Sequence, residues 1–264
     1  MDLKEARLGG GRQVQRHPWE LARLGVVRTL LRPRFEERAI PAPGVLDVGC
    51  GDGFVVAALA AEHRALRFIA VDAALSPSDA DELTRRLALA NLSFHTSIEA
   101  AGLQPGSIGL ILLLDVLEHI ESDAAFLRDL AGRPCVAAGA GVLITVPACA
   151  FLFGEHDRFL GHYRRYNVTG LRRTVEEAGL HVDEAGTFFA SLVPARLLSV
   201  IRQRMMPGSG AGRPGVADWK GGRLLSRLLC TVLRADFHLC RTARRCGLTL
   251  PGLSCYAICQ RRAS

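Results

Sequence analysis

The order of apolar runs predicts an α/β protein. The expected architecture is a doubly wound, mostly parallel seven-stranded sheet with helical additions covering its substrate edge. Three observations lead there. Short apolar runs alternate with helix-like segments from about residue 45 to about residue 188, which is the spacing of βαβ units. The run IGLILLL (108–114) is apolar at every position or glycine, as in a strand covered on both faces. A dense glycine loop, GCGDG (49–53), joins a strand to a helix.

The elements follow in chain order. Residues 17–39 (HPWELARLGVVRTLLRPRFEERA) have helical spacing up to about Leu31. Pro41, Pro43 and Gly44 then break the chain. VLDVG (45–49) predicts a strand and FVVAALAAE a helix. RFIAVD (67–72), NLSFHTS (91–97) and IGLILLLDV (108–116) predict three more strands, with a helix over 79–90. ESDAAFLRDLAG predicts a helix, and GVLITVP (141–147) a fifth strand. VTGLRRTVEEAGL (168–180) predicts a helix with Thr169 as N-cap and Gly179 at its end. A strand at about 181–188 follows. PGSGAGRPGVADWKGG (207–222) predicts a loop or lid, and LSCYAICQRR (253–262) a final strand. The expected organisation is an N-terminal helical arm (1–40), an α/β core (41–190), a basic helical insertion or lid (191–252) and a last core strand (253–264).

Charge and cysteine usage narrow the function classes. The net charge is +7. Residues 196–264 hold 13 basic residues against Asp218 and Asp236. The basic excess is thus confined to the C-terminal quarter, which argues against a nucleic-acid partner. Eight cysteines without a CxxC pair predict reduced thiols and a cytoplasmic location. The spacings of Cys240, Cys246, Cys255 and Cys259 do not suit zinc. The N-terminus lacks an apolar signal core. Residues 135–154 are uncharged over a span-like length, but Gly139, Gly141 and Pro147 interrupt them, so a buried strand is expected there.

In a doubly wound sheet, ligands bind outside the carboxyl ends of the strands. The loops after Val48, Val71, Phe94, Leu114 and Val146 should therefore form one edge. Gly49, Gly51 and Gly53 let a ligand approach the backbone closely. A dinucleotide loop would need a sixth-position glycine, where Phe54 stands, and no P-loop lysine follows. Asp72 ends the second strand and can accept both hydroxyls of a ribose. Together these predict a nucleoside site without a strong pyrophosphate cradle.

The set VLDVGCGDG (45–53), Asp72 after RFIAV, LDVLEHI (114–120) and GVLITVPA (141–148) resembles the class I S-adenosylmethionine-dependent methyltransferases. Among these it is most like bacterial small-molecule, glycan-type and ubiquinone-pathway members. The resemblance implies a Rossmann-like methyltransferase fold, S-adenosyl-L-methionine as cofactor, and methyl transfer to oxygen, with nitrogen or carbon less favoured. It places Asp47 and the backbone of Gly49, Cys50 and Gly51 at the methionine end, Asp72 at the ribose, Ser97 and Ile98 at the adenine, and Asp115 near the methionyl amine and the transferring methyl, with Gly53 and Ala73 also among the cofactor-binding residues. Ser97 stands where many relatives have Asp, and Ile108-Gly109 where they often have Phe-Asp.

Methyl transfer from a sulfonium needs chiefly an oriented nucleophile and, for a hydroxyl, a general base. The expected groups are His119, and His156, His162 and Tyr163 from GEHDRFLGHYRRYN (154–167). Arg164, Arg165 and Tyr166 would meet a carboxylate or phosphate on a small or lipid-linked substrate. The same arginines could instead pair with Glu155 and Asp157. No metal is expected at first reading. The alternative set is Asp115, Glu118 and His119, at i, i+3 and i+4, completed by His156, because a similar Glu-x-x-Glu-His cluster holds a divalent ion in ubiquinone-pathway and small-RNA methyltransferases.

In GGRLLSRLLCTVLRADFHLCRTARRC, Arg223, Arg227, Arg234 and Arg241 fall within about 40° of a helical wheel. Leu224, Leu225, Leu228, Leu229, Val232 and Leu239 fill the opposite arc. Such a helix over 223–245 suits peripheral contact with the inner membrane surface, or simply covers the sheet with its arginines in water. Two other functions compete: a nucleoside-cofactor-binding protein of this fold without turnover, and an NAD-dependent oxidoreductase, against which the missing glycine argues.

Overall fold

The computed structural model describes residues 16–36, 40–205, 219 and 221–261. One seven-stranded sheet organises them: β1 (Gly44–Val48), β2 (Arg67–Val71), β3 (Leu92–His95), β4 (Ile108–Leu114), β5 (Val136–Pro147), β6 (Leu180–Phe188) and β7 (Ser254–Arg261). Their spatial order is β3-β2-β1-β4-β5-β7-β6. β7 runs antiparallel to both β5 and β6, and the other pairings are parallel. The expected doubly wound sheet is therefore present.

Helices cover both faces: α1 (Pro18–Glu36), α2 (Phe54–Glu62), α3 (Pro77–Leu87), α4 (Asp123–Gly132), α5 (Glu155–Leu160), α6 (Val168–Glu177), α7 (Val193–Met205) and α8 (Arg223–Arg245). The period-two alternation of strand side chains sorts the core into two layers. Leu46, Ile69, Ile111 and Ile144 pack with Leu127 of α4 and Leu171 of α6. Val45, Phe68, Leu110 and Leu143 pack with Val27 and Leu30 of α1, Leu59 of α2 and Phe237 of α8.

Several boundaries depart from the sequence reading, each for a local reason. α1 continues through Pro33 to Glu36. α3 begins at Pro77, because Ser76 forms a capping box with Asp79. The N-cap of α6 is Asn167, not Thr169: its side chain accepts from the Gly170 N–H at 2.6 Å. β4 stops at Leu114, since Asp115 turns to φ 61°. β5 starts at Val136 rather than 141. Its register against β4 jumps from Ile108↔Val136 to Leu110↔Gly141, so the extra residues form an irregular pairing. No described helix is long and apolar enough to cross a membrane. Most of the glycine-rich stretch 207–222 lies outside the described residues.

Candidate cofactor and acceptor site

The loop after β1 is built on positive backbone angles, φ 74° at Gly49 and φ 57° at Gly51. A Cβ on Gly49 would come within 2.6 Å of the Val116 side chain. Glycine is therefore required for both angle and space. The Gly49 N–H donates to the Val71 carbonyl at 2.8 Å. The Asp72 carboxylate accepts from the N–H groups of Gly51 and Ala74, each at 2.9 Å. These bonds hold the carboxylate beside the glycine bend and leave acceptor capacity on it, since a carboxylate offers about four lone-pair sites.

A cavity of about 890 Å³ opens at this edge. Asp47, Gly49, Cys50, Gly51, Asp72, Ala73, Ser97, Ile98 and Asp115 all line it. Gly53 does not. With φ 75° it is the residue before α2, and a Cβ there would strike Phe94 at 2.6 Å, so its role is the turn. The Ser97 hydroxyl accepts from the Ala100 N–H at 3.1 Å.

Asp47 is buried, and its Oδ1 has no hydrogen-bond partner. Burial pushes its carboxyl up to about 7, with Arg23 opposing and Asp72 adding. An orphaned buried carboxylate oxygen facing a cavity fits the ammonium of a methionine moiety. Arg23, from α1, was not foreseen. It is buried, lines the cavity, pairs with Asp115 at 2.9 Å and donates to the Thr145 hydroxyl at 3.1 Å. Thr145 in turn donates to Asp115 at 3.1 Å. The readable signal was a lone arginine on the apolar stripe of α1, between Ala22 and Leu24.

The residues expected at the acceptor end lie partly on the same cavity. Glu118, His119, His156, His162 and Arg165 line it. Leu117–His119 is a single 3-10 turn, so the helical face expected for Asp115, Glu118 and His119 does not form. Asp115 is spent on Arg23 and Thr145 instead. The group whose ligand atoms lie within 4.8 Å of one another is Glu118, His119 and His162. Among the described residues this group differs from the expected set in two positions: Asp115 is not in it, and His162 stands where His156 was expected. The His119 and His162 rings meet edge to face at 4.6 Å. Glu118 is 1% exposed, and neither carboxylate oxygen has a hydrogen-bond partner. Burial pushes its carboxyl up, reinforced by Asp115. One carboxylate and two imidazoles form a donor set suited to a divalent ion. Burial and the Arg196 guanidinium hold the His156 imidazole below its ordinary value.

Behind His162 stands Asp157, fully buried at the start of α5. It accepts from His162 Nδ1 at 3.1 Å, Arg165 Nε at 2.8 Å, Arg196 Nη2 at 3.3 Å and the Gly154 N–H at 2.9 Å. Burial pushes its carboxyl up, but the bonds from His162 and Arg165 outweigh that and hold it well below the usual range. Three residues expected at the acceptor end are not at the cavity. Arg164 donates to Asp123 at 3.1 Å and to the Glu121 carbonyl. Tyr166 is buried, with its hydroxyl on Asp123 at 2.7 Å and the Leu117 carbonyl at 3.2 Å. Tyr163 is 55% exposed, and its contribution is a backbone N–H given to the Glu118 carbonyl at 2.7 Å.

The methyltransferase domain family matches residues 21–185. The ubiquinone biosynthesis O-methyltransferase of Methylocella silvestris is 31% identical over 181 residues, covering 63% of this chain and 69% of that protein. Among solved structures, a protein assigned as a sarcosine dimethylglycine methyltransferase from Galdieria sulphuraria aligns with TM-score 0.55 at 12% identity, over 90% of this chain and 86% of that one. The [4+2]-cyclase SpnF aligns with TM-score 0.53 at 14% identity, over 89% and 81%. Likeness at that identity establishes the fold alone, and the cyclase shows that the fold hosts other chemistry. The family match extends over more than half of the sequence and spans the glycine loop, Asp72 and the Glu118–His119 turn. The chain belongs to the methyltransferase domain family, as a class I S-adenosylmethionine-dependent methyltransferase.

Proposed function

We propose that the protein transfers a methyl group to a hydroxyl oxygen of a small or lipid-linked acceptor. One observation carries the choice of oxygen. A buried carboxylate without a partner and two imidazoles, Glu118, His119 and His162, converge on the cavity that the glycine loop and Asp72 also line. Similarity to an O-methyltransferase supports it.

S-adenosylmethionine, when bound, supplies a methyl group already activated on a sulfonium. The chain's own residues hold and orient the reactants around it. Asp72 takes the ribose hydroxyls, and Ser97 and Ile98 flank the adenine. Asp47 takes the ammonium end, with Arg23 close to Asp115 and Thr145 on the same wall. At the acceptor end Glu118, His119 and His162 would hold a divalent cation, which would acidify a coordinated hydroxyl. His156, whose imidazole is held below its ordinary value by burial and the Arg196 guanidinium, can accept the hydroxyl proton. Leu160, Leu192 and Leu253 give this part of the cavity apolar walls. The helical segments outside the core, within 1–40 and 191–252, serve as the cover over this end.

The test is a labelled-methyl assay with a phenol or catechol carrying an isoprenoid tail. Label is expected in an ether product. Chelator treatment should lower transfer by about 10²-fold, with recovery on adding a divalent ion. Label on nitrogen or carbon would overturn the oxygen assignment, and full activity after chelation would remove the metal.

A further inference from the structure

The leucine-rich arc of α8 does not face the protein. The sequence places leucines opposite arginines, and the usual outcome for such a helix is that the leucines bury. Here the buried residues are Ser226, Leu233, Asp236, Phe237 and Cys240. At 100° per residue the helix carries three sectors, with centres about 100–130° apart. One packs on the core, through Leu233 and Phe237. One is basic, with Arg227 and Arg245 exposed. The third is aliphatic and in solvent: Leu224 is 81% exposed, Leu228 61% and Leu239 62%, with Leu225 and Val232 beside them. On α7 a second exposed aliphatic row follows, Leu198, Ile201 and Met205. Both helices pack on the short turn Ala190–Leu192, whose Leu192 lines the cavity, as does Arg196 of α7.

We infer that the exposed aliphatic sector of α8, with its arginine flank, is a docking surface for an anionic lipid bilayer, set beside the acceptor end of the cavity. Three features favour lipid over a protein groove. The large exposed side chains of this sector are all aliphatic, without the aromatic anchors that dominate protein–protein hot spots. Its charge is of one sign: the only acidic residue of α8 is Asp236, which is buried and accepts from Ser191. The row runs from Leu224 to Leu239 of a 23-residue helix, the form of an interfacial helix that sinks its apolar side to the acyl boundary with cations at the headgroups. The inference rests on the proposed lipid-linked acceptor for its purpose, because a docked mouth lets such an acceptor enter without crossing water. Its physical basis is the exposed sector alone.

The experiment is vesicle co-sedimentation of the full chain at low salt. Vesicles of phosphatidylglycerol and phosphatidylcholine in equal parts are compared with phosphatidylcholine alone. The wild type should bind the anionic vesicles. The variant L224E/L228E/L239E should lose about tenfold or more in affinity, while R227Q/R245Q should lose roughly fivefold per arginine, as should added salt. All three leucines are exposed, so the variant should keep its far-ultraviolet circular dichroism. Absence of binding to anionic vesicles, or equal binding by the leucine variant, overturns the inference. So does concentration-dependent dimerisation that the leucine variant abolishes without any vesicle binding, since the occupant is then a second copy. Calorimetry with S-adenosylmethionine on the same samples separates the two ideas. Cofactor binding without vesicle binding sinks the docking surface alone. Vesicle binding without methyl transfer to a tailed acceptor sinks the acceptor reading alone.

Discussion

The two ends of the cavity are made by different means. At the cofactor end, backbone does most of the shaping: the glycine bend is bonded to the strand end at Val71, and one side chain, the Asp72 carboxylate, joins Gly51 and Ala74, all within 25 residues of sequence. At the acceptor end, side chains do it. Asp157 gathers His162, Arg165 and Arg196, the last 39 residues away, and Asp123 gathers Arg164 and Tyr166 from more than 40 residues away. A site made of backbone can lose a ligating side chain and keep its shape. A site made of buried charges cannot.

The comparison predicts where a mutation will show. The largest effect should come from Asp157→Ala, which leaves Arg165 and Arg196 without their buried carboxylate. Removing one partner of such a pair costs about 3–5 kcal/mol, read as a lower midpoint in chemical denaturation. An unchanged midpoint would mean that the acceptor end is not held by this network. Asp72→Ala should instead fold normally and weaken cofactor binding by about 10²-fold, the loss of a bidentate charge-assisted contact, measured by calorimetry. Near-wild-type affinity there would break the cofactor half of the comparison.

A smaller effect concerns pH. The Asp47 carboxyl stands at about 7 in the protein without ligand. An ammonium group binds the ionised form, so affinity for S-adenosylmethionine should be level above that pH. Below it, affinity should fall by about tenfold per unit, because a proton must leave Asp47 before binding. Asp47→Asn should flatten the profile; a slope that survives this change assigns the titration elsewhere. The smallest effect is expected of Tyr163→Ala. Its side chain is exposed and off the cavity, and its backbone N–H, which the variant keeps, makes the contact with Glu118. Turnover within about twofold of wild type and stability within about 0.5 kcal/mol are expected, and a large loss of turnover would return Tyr163 to the site.

The sequence alone determined the sheet and the glycine bend, because strand alternation and positive-φ glycines are local properties visible in short windows. Gly49 and Asp72 were legible for that reason, whereas Asp47, Ser97 and Asp115 were expected only from the family resemblance; all five line the cavity. Within GEHDRFLGHYRRYN the sequence marked a polar cluster but could not sort it. Which arginine turns to the cavity, which tyrosine is buried under Asp123, and that His162 rather than His156 meets Glu118 depend on partners from other elements. The same holds for α8. Its leucine and arginine arcs are written in the periodicity, but the arc that packs was chosen by the positions of α1 and β6. Only the tertiary structure decided that Arg23 reaches Asp115 and that a row of leucines is left in solvent, because burial is a property of what comes to lie against a residue and not of the residue itself.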